Sequence, residues 1–268
     1  MELQGKRVVL TGAGSGIGRE TALALGRQGA RLVLFGRGEA KLRDVQAELN
    51  DLGAESVIET GDVTDAASRD RLLQAAERAY GGVDVLINNA GIVQAGRLEA
   101  IPADTIRAML EADLLAPILL TQAALPLLRR SEEAAIVNVS SAIALVGVPF
   151  YAVYAAAKAG LARFGEALRR ELLGEGIRVM TVYPGATDTP MMTSNRAGEE
   201  LGFGREPASA VAEALIDGLR RNALEVVRGG ETRAAMIARN REDPGAVDEQ
   251  FGSIRDDLEQ AVASHTAL

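Results

Sequence analysis

The chain has 268 residues, 47% of them apolar, with a net charge of −8, no cysteine and a single histidine, His265. That length suffices for one large α/β domain or two small ones; the missing cysteines exclude disulfides and thiolate nucleophiles and point to a reducing compartment. No Lys/Arg-dense run marks a nucleic-acid footprint. With His265 so near the end of the chain, acid and base are expected among Tyr, Lys, Asp and Glu rather than in a His-based zinc site or triad.

A soluble, cytoplasmic protein that engages neither nucleic acid nor membrane is expected. The opening "MELQGKRVVLTG" carries no separate apolar region with a cleavage site. The most apolar stretch, 134–164, is interrupted by Asn138, Ser140, Ser141, Pro149 and Lys158, short of the ~18 uninterrupted apolar residues of a membrane span.

The first predicted strand, "RVVLTG" (7–12), runs into "TGAGSGIG" (11–18). The common dinucleotide pattern G-x-G-x-x-G fails here, because Ile17 or Arg19 stands where its last glycine belongs. The pattern G-x-x-x-G-x-G fits, on Gly12, Gly16 and Gly18. Glycines let a backbone turn tightly against a pyrophosphate, and a helix N-terminus offers it free N–H groups. The plain alternative is a glycine-rich turn that binds nothing.

The second strand, "RLVLFG" (31–36), ends on Gly36 followed by Arg37. An Asp or Glu at this place would bind a ribose hydroxyl and repel a phosphate. A guanidinium instead suits a 2′-phosphate, so NADP(H) is expected over NAD(H).

Further strands are predicted at 56–62, 83–91 ("VDVLINNAG"), 135–141 ("AIVNVSS") and 177–185 ("IRVMTVYPG"), with a weaker one at 224–230. Helical patterns lie between them, as at 68–80, where Leu72, Leu73, Ala76 and Tyr80 share one face. Apolar strands alternating with helices predict an α/β, Rossmann-type, doubly wound parallel sheet of about seven strands, with helices on both faces. The whole chain reads as one domain, with a helical extension from about residue 231. Residues 190–206 are expected to form a mobile insertion. The tail from Pro244 spaces Val247, Phe251, Ile254, Leu258 and Val262 as an amphipathic helix.

The stretch "YAVYAAAK" (151–158) places two tyrosines near one lysine. Tyr154 and Lys158 are separated i, i+4 and share a helical face about 6 Å apart, whereas Tyr151 lies nearly two turns, ~10 Å, from the lysine. A nearby ammonium favours the phenolate, which would make Tyr154 a proton donor or acceptor near neutral pH. Alternatively, Tyr154 is a core aromatic and Lys158 merely reaches for water.

This ordered set resembles the short-chain dehydrogenase/reductase family over roughly residues 5–230. The resemblance rests on "TGAGSGIG" (11–18), "GDV" (61–63), "NNAG" (88–91), Ser140–Ser141, "YAAAK" (154–158) and "PGATDT" (184–189). It implies that Tyr154 exchanges a proton with the substrate oxygen, that Lys158 lowers its pKa and binds the nicotinamide ribose, and that Ser141, at the family's spacing from Tyr154, hydrogen-bonds the substrate. It also implies a cofactor site of Gly12, Ser15, Gly16, Ile17, Gly18, Arg37, Asp62, Val63, Asn89, Ala90, Gly91, Pro184, Gly185 and Thr189, with Asp62 and Val63 beside the adenine and Thr189 at the carboxamide. Tyr151 becomes a packing or pocket residue.

One departure stands out: Asp113 occupies the place where the family often has an asparagine that holds a water of the proton relay. Its relay role is expected to survive in altered form. The implied activity is hydride transfer between a nicotinamide and a carbonyl or secondary alcohol. The alternatives are a catalytically silent nucleotide-binding protein of the same fold and an epimerase or dehydratase relative, for which Ser15 replaces the expected glycine. The resemblance further implies a homotetramer or homodimer contacting through helices around 104–130 and 151–173, where Ala155, Ala159, Ala162 and Leu168 suit close packing.

Overall fold

Every residue, 1–268, is described by the computed structural model of the chain. Seven apolar runs form strands: β1 (Arg7–Thr11), β2 (Arg31–Gly36), β3 (Ser56–Thr60), β4 (Val85–Asn88), β5 (Ala134–Val139), β6 (Ile177–Tyr183) and β7 (Glu225–Val227). They make one parallel sheet in the order β7-β6-β5-β4-β1-β2-β3. The helices are α1 (Gly16–Arg27), α2 (Glu39–Asp51), α3 (Ala66–Tyr80), α4 (Ala103–Leu128), α5 (Ala152–Glu171), α6 (Ala208–Arg221), α7 (Gly230–Glu242), α8 (Pro244–Ser253) and α9 (Arg255–Val262).

Alternation along the strands divides the core in two. Val8, Leu10, Leu32 and Leu34 pack with Leu25 of α1, Leu49 of α2 and Leu215 of α6. Val9, Val33, Leu86 and Ile136 face the other way, onto Leu72 of α3, Leu120 and Leu128 of α4 and Leu168 of α5. Both faces are covered, which is why the strands read as continuous apolar runs rather than as alternating ones.

The chain winds from β1 outward to β3, then crosses back to place β4 on the other side of β1. That reversal opens a crevice at the carboxyl ends of β1 and β4. Most strands stop two or three residues earlier than their sequence suggests. Gly61, Asp62, Asn89, Gly91, Ser140, Ser141, Pro184 and Gly185 lie beyond the strand ends, because glycine and polar side chains there leave the ladder and turn toward the crevice.

Helix α4 is long and apolar enough to cross a membrane by length and composition alone. A search for uninterrupted apolar runs passes over it, since Asp104, Arg107, Glu111 and Asp113 punctuate the segment. In this fold it is a core helix, with Leu120, Ala124 and Leu128 buried against the sheet.

Two segments take forms that the sequence pattern leaves open. Residues 190–206 form two short 3₁₀ turns, Pro190–Met192 and Glu199–Leu201, closed by a ladder between Thr187–Asp188 and Glu206–Pro207. The tail bends into three helices and then pairs Thr266–Ala267 antiparallel with Val93–Gln94. It thus covers its own chain: Val247, Leu258 and Val262 are buried. Leu168 points into the core rather than outward, so it is not part of an exposed small-residue face.

Candidate active site

The first βα turn sets the cofactor end. Gly12 and Gly16 adopt φ of +65° and +52°, a region that side chains with a Cβ enter at a cost. Gly16 also faces Thr189, whose Cγ2 would lie 2.9 Å from an added Cβ. Gly18 backs directly onto the Gly12 carbonyl oxygen, leaving no room for a methyl. Ser15 is the N-cap of α1, yet its hydroxyl makes no cap hydrogen bond, so the first-turn N–H groups are left for an anion. A cradle of glycines ending in unspent donors fits a dinucleotide pyrophosphate. Gly18→Ala is therefore expected to destabilise the protein by about 1–3 kcal/mol through overpacking and to abolish detectable nucleotide binding; thermal melts and NADPH fluorescence titration read both.

The crevice floor is held by a network that motif reading does not anticipate. Thr11 accepts hydrogen bonds from the N–H groups of Asn89 (2.9 Å) and Ala90 (3.0 Å), and donates to the Ile87 carbonyl. The Asn89 amide donates to the carbonyls of Thr11 and Gly12. Asn89 thus ties the ends of β1 and β4 together; its amide N–H groups are spent on the scaffold. Asn88 is likewise spent, on Thr121 and Asn138.

All of the implied cofactor residues, together with Ser141, Tyr154 and Lys158, line a single cavity of about 1050 Å³. One further residue belongs with them. Lys41 of α2 also lines it, near Arg37, and its Cβ packs against Gly14 in the glycine turn. Only its place one helical turn beyond Arg37 could have signalled it.

The two serines at the end of β5 separate cleanly. Ser140 is buried and donates to the Lys158 carbonyl at 2.8 Å, anchoring α5 to the sheet. Ser141 caps the 3₁₀ turn that follows, accepting from Ile143 N–H at 3.3 Å, and opens onto the cavity.

The two tyrosines separate as well. Tyr151 is buried, donates its hydroxyl to His265 Nδ1 at 2.6 Å and accepts from Asn195 Nδ2 at 2.9 Å. His265 Nε2 lies 3.1 Å from the Met191 carbonyl; the imidazole is neutral with its proton on Nε2, since burial lowers its pKa. His265, dismissed from the sequence as a tail residue, thereby forms part of the cavity wall. The residue before Tyr151, Phe150, takes φ +71°, a strained turn that swings Tyr151 inward.

Tyr154 faces Lys158, whose Nζ lies 5.6 Å from its ring centroid. Lys158 Nζ contacts Asp113 Oδ1 at 3.0 Å and donates to the Val139 carbonyl at 3.3 Å. An ammonium has three donors, so one is left for a ligand. Asp113 is completely buried, outside the cavity lining, and also accepts from Ile92 N–H. A π turn over Glu111–Leu115 inside α4 brings it to this place; such one-turn widenings concentrate at functional sites. Gly91 makes the room, because a Cβ there would overlap the Asp113 carboxylate.

The Asp113 carboxylate sits directly on the Lys158 ammonium. Against expectation, Tyr154 is not acidified overall: burial raises its pKa, and Asp113 raises it further, while Lys158 and Ser141 pull it down without prevailing. Burial alone would discharge Lys158; Asp113, aided by Tyr154, outweighs that and lifts its pKa above the ordinary lysine value. At neutral pH the site therefore holds a protonated phenol beside an ammonium in contact with Asp113.

The chain is similar to known proteins of one family. Residues 6–200 match the family model for short chain dehydrogenases. A ketoacyl reductase, HetN, of Nostoc sp. is 33% identical over 84% of this chain and 79% of its own length. An uncharacterized oxidoreductase of Thermotoga maritima is 30% identical over 87% of this chain and 99% of its own. A solved structure of a variant actinorhodin polyketide ketoreductase with NADPH superposes with a TM-score of 0.77 at 30% identity, covering 84% of this chain and 96% of that one. With its doubly wound sheet, glycine cradle and Ser–Tyr–Lys set, the chain belongs to the short-chain dehydrogenase family and is an NAD(P)-dependent oxidoreductase.

Proposed function

We propose that the protein is an NADP(H)-dependent reductase of an apolar carbonyl compound. The observation that carries the reading is the convergence of Ser141, Tyr154 and Lys158 on one cavity wall, with Tyr154 held in its protonated form. A nicotinamide bound in the crevice supplies the hydride. Ser141 hydrogen-bonds the substrate oxygen and orients the carbonyl. As negative charge grows on that oxygen, Tyr154 gives it the phenolic proton, and Lys158 stabilises the phenolate left behind. Asp113 holds the ammonium in place.

The substrate side of the cavity is largely apolar, with Ile143, Val148, Met191, Leu201 and Phe203 on its walls. Ketoreductase relatives in the comparisons are consistent with a carbonyl substrate. Reduction of a ketone panel, followed at 340 nm, tests the assignment; a protein that turns over no carbonyl and oxidises no secondary alcohol refutes it.

NADP(H) over NAD(H) rests on Arg37 and Lys41 at the adenosine end, with no carboxylate at the end of β2. Arg37 is exposed and makes one contact, Nη2 to the Leu268 carbonyl at 3.2 Å. Arg37→Ser is expected to weaken NADPH binding by about 10- to 100-fold, the worth of one charge-assisted contact, while NADH binding changes little. Equal losses for both cofactors would remove Arg37 as the phosphate reader. A homo-oligomer is proposed on α4 and α5, which expose Leu110, Leu115 and Ala156.

A further inference from the structure

The tail closes the cavity with Met236 of α7, Phe251 of α8 and Ile254 at the junction with α9. Arg233, on the first turns of α7, lines the same wall. Its stem lies over Gly229, whose added Cβ would sit 2.8 Å from the Arg233 Cβ. Gly229 and Gly230 take φ of +106° and +59°, so the chain doubles back at the end of β7 and lays the side chain toward the site.

Arg233 is half-buried, and burial alone acts on its pKa, lowering it; neither an acid nor a hydrogen-bond partner offsets this. The contrast with the other perturbed arginines is sharp. Arg7, Arg19, Arg97, Arg129 and Arg163 each have a raised pKa because a carboxylate holds them. Of the other cations on the cavity, Lys158 is paired with Asp113, while Arg37 and Lys41 stand at the adenosine end. A half-buried guanidinium beside Met236, Phe251 and Ile254 with no carboxylate of this chain upon it is partly desolvated, and an anionic ligand group would offset that cost.

We propose that Arg233 binds an anionic group of the substrate, so that the substrate is a carbonyl compound whose apolar body ends in a carboxylate or phosphate. The inference rests on the reductase reading and adds the substrate class to it. The sheet order sets the reach. Ser141 follows β5 and Arg233 follows β7, two strands further from the crevice; at ~4.8 Å per strand those two strands stand on the order of 10 Å apart across the sheet. The carbonyl is therefore held near the nicotinamide end, the apolar body spans the Met236 and Phe251 wall, and the anion lies on the far side from the cofactor.

Calorimetric titration of the full chain with octanoate, octyl phosphate and 1-octanol tests this without turnover. Octanoate or octyl phosphate is expected to bind at least tenfold tighter than 1-octanol, and the tighter of the two identifies the anion. Arg233→Gln should remove that advantage, a loss of about 10- to 100-fold for one charge-assisted contact, while leaving 1-octanol and the melting temperature unchanged. Arg233→Lys should restore part of it, since an ammonium keeps the charge but not the bidentate fork. Anions that bind no tighter than the alcohol, fail to bind, or bind wild type and Arg233→Gln alike overturn the proposal. Tyr154→Phe is expected to keep the binding and lose turnover, which separates failure of this site from failure of the reductase assignment.

Discussion

Tyr154→Phe is expected to lower kcat by about 10²- to 10⁴-fold, the usual contribution of a positioned general acid, while NADPH affinity changes by no more than a few-fold. The ring is retained, and with it the packing of Tyr154 beside Ile92, Ile106 and Met109, so the variant should melt near the wild type. Only the hydroxyl is lost, the group on which Ser141 and the Lys158 ammonium both act. Tyr151→Phe is the matched control. Its hydroxyl is committed to His265 and Asn195, so its removal costs about 1–3 kcal/mol of stability for groups left unpaired, with less than a tenfold loss in kcat. Steady-state kinetics on both variants with one ketone decides between them. If Tyr154→Phe kept more than a tenth of the wild-type kcat, or if Tyr151→Phe were the inactive one, the proton donor would have to be reassigned.

That contrast shows what the sequence makes legible. The i, i+4 spacing alone selects Tyr154 as the partner of Lys158, because helix geometry is local and rigid. The seven strands are equally visible, since burial on both faces demands continuous apolar runs such as "RVVL" and "RLVLF". The glycine turn is legible because few other residues tolerate φ near +60° at Gly12 and Gly16.

What escapes the sequence depends on distant contacts. Nothing local to His265 tells that the tail returns some 114 positions upstream in sequence to meet Tyr151. The spacing of Val247, Leu258 and Val262 shows an apolar face but not which surface it covers. The net pKa of Tyr154 is also nonlocal. Lys158 is visible one turn away, whereas the burial and the Asp113 charge that outweigh it arrive through the tertiary fold. Arg233 is unremarkable as a letter in "GGETRAAM"; its lack of a partner emerges only when the wall around it is assembled.

Asp113→Asn carries the second large effect, on pH dependence. In the wild type, Asp113 raises the Tyr154 pKa and, with Tyr154, holds the Lys158 ammonium charged against burial. Asparagine has nearly the same shape and no charge. Two consequences follow. Once Lys158 loses its proton it no longer stabilises the phenolate that proton transfer leaves behind, so the alkaline limb of carbonyl reduction should move to lower pH.

Stability should also acquire a new slope. The raised Lys158 pKa of the wild type contributes stability that is fully present below the unfolded value of ~10.4 and lost as pH rises through the folded one. Burial lifts the Asp113 pKa against the pull of Lys158, and the substitution removes that titration together with its effect on Lys158. In the variant, burial acts unopposed by the carboxylate and drives the folded Lys158 pKa below the unfolded one. The unfolded chain then binds more protons through the intervening range, and stability rises with pH there. The gap in melting temperature between wild type and Asp113→Asn is therefore expected to be widest near pH 7 and to narrow toward pH 10. A deficit that stays constant across that range, together with an unshifted rate profile, would mean that the carboxylate does no more than fill space behind the lysine. Movement of both curves in the stated directions would identify Asp113 as the positioning residue that keeps a fully buried ammonium charged beside the catalytic phenol.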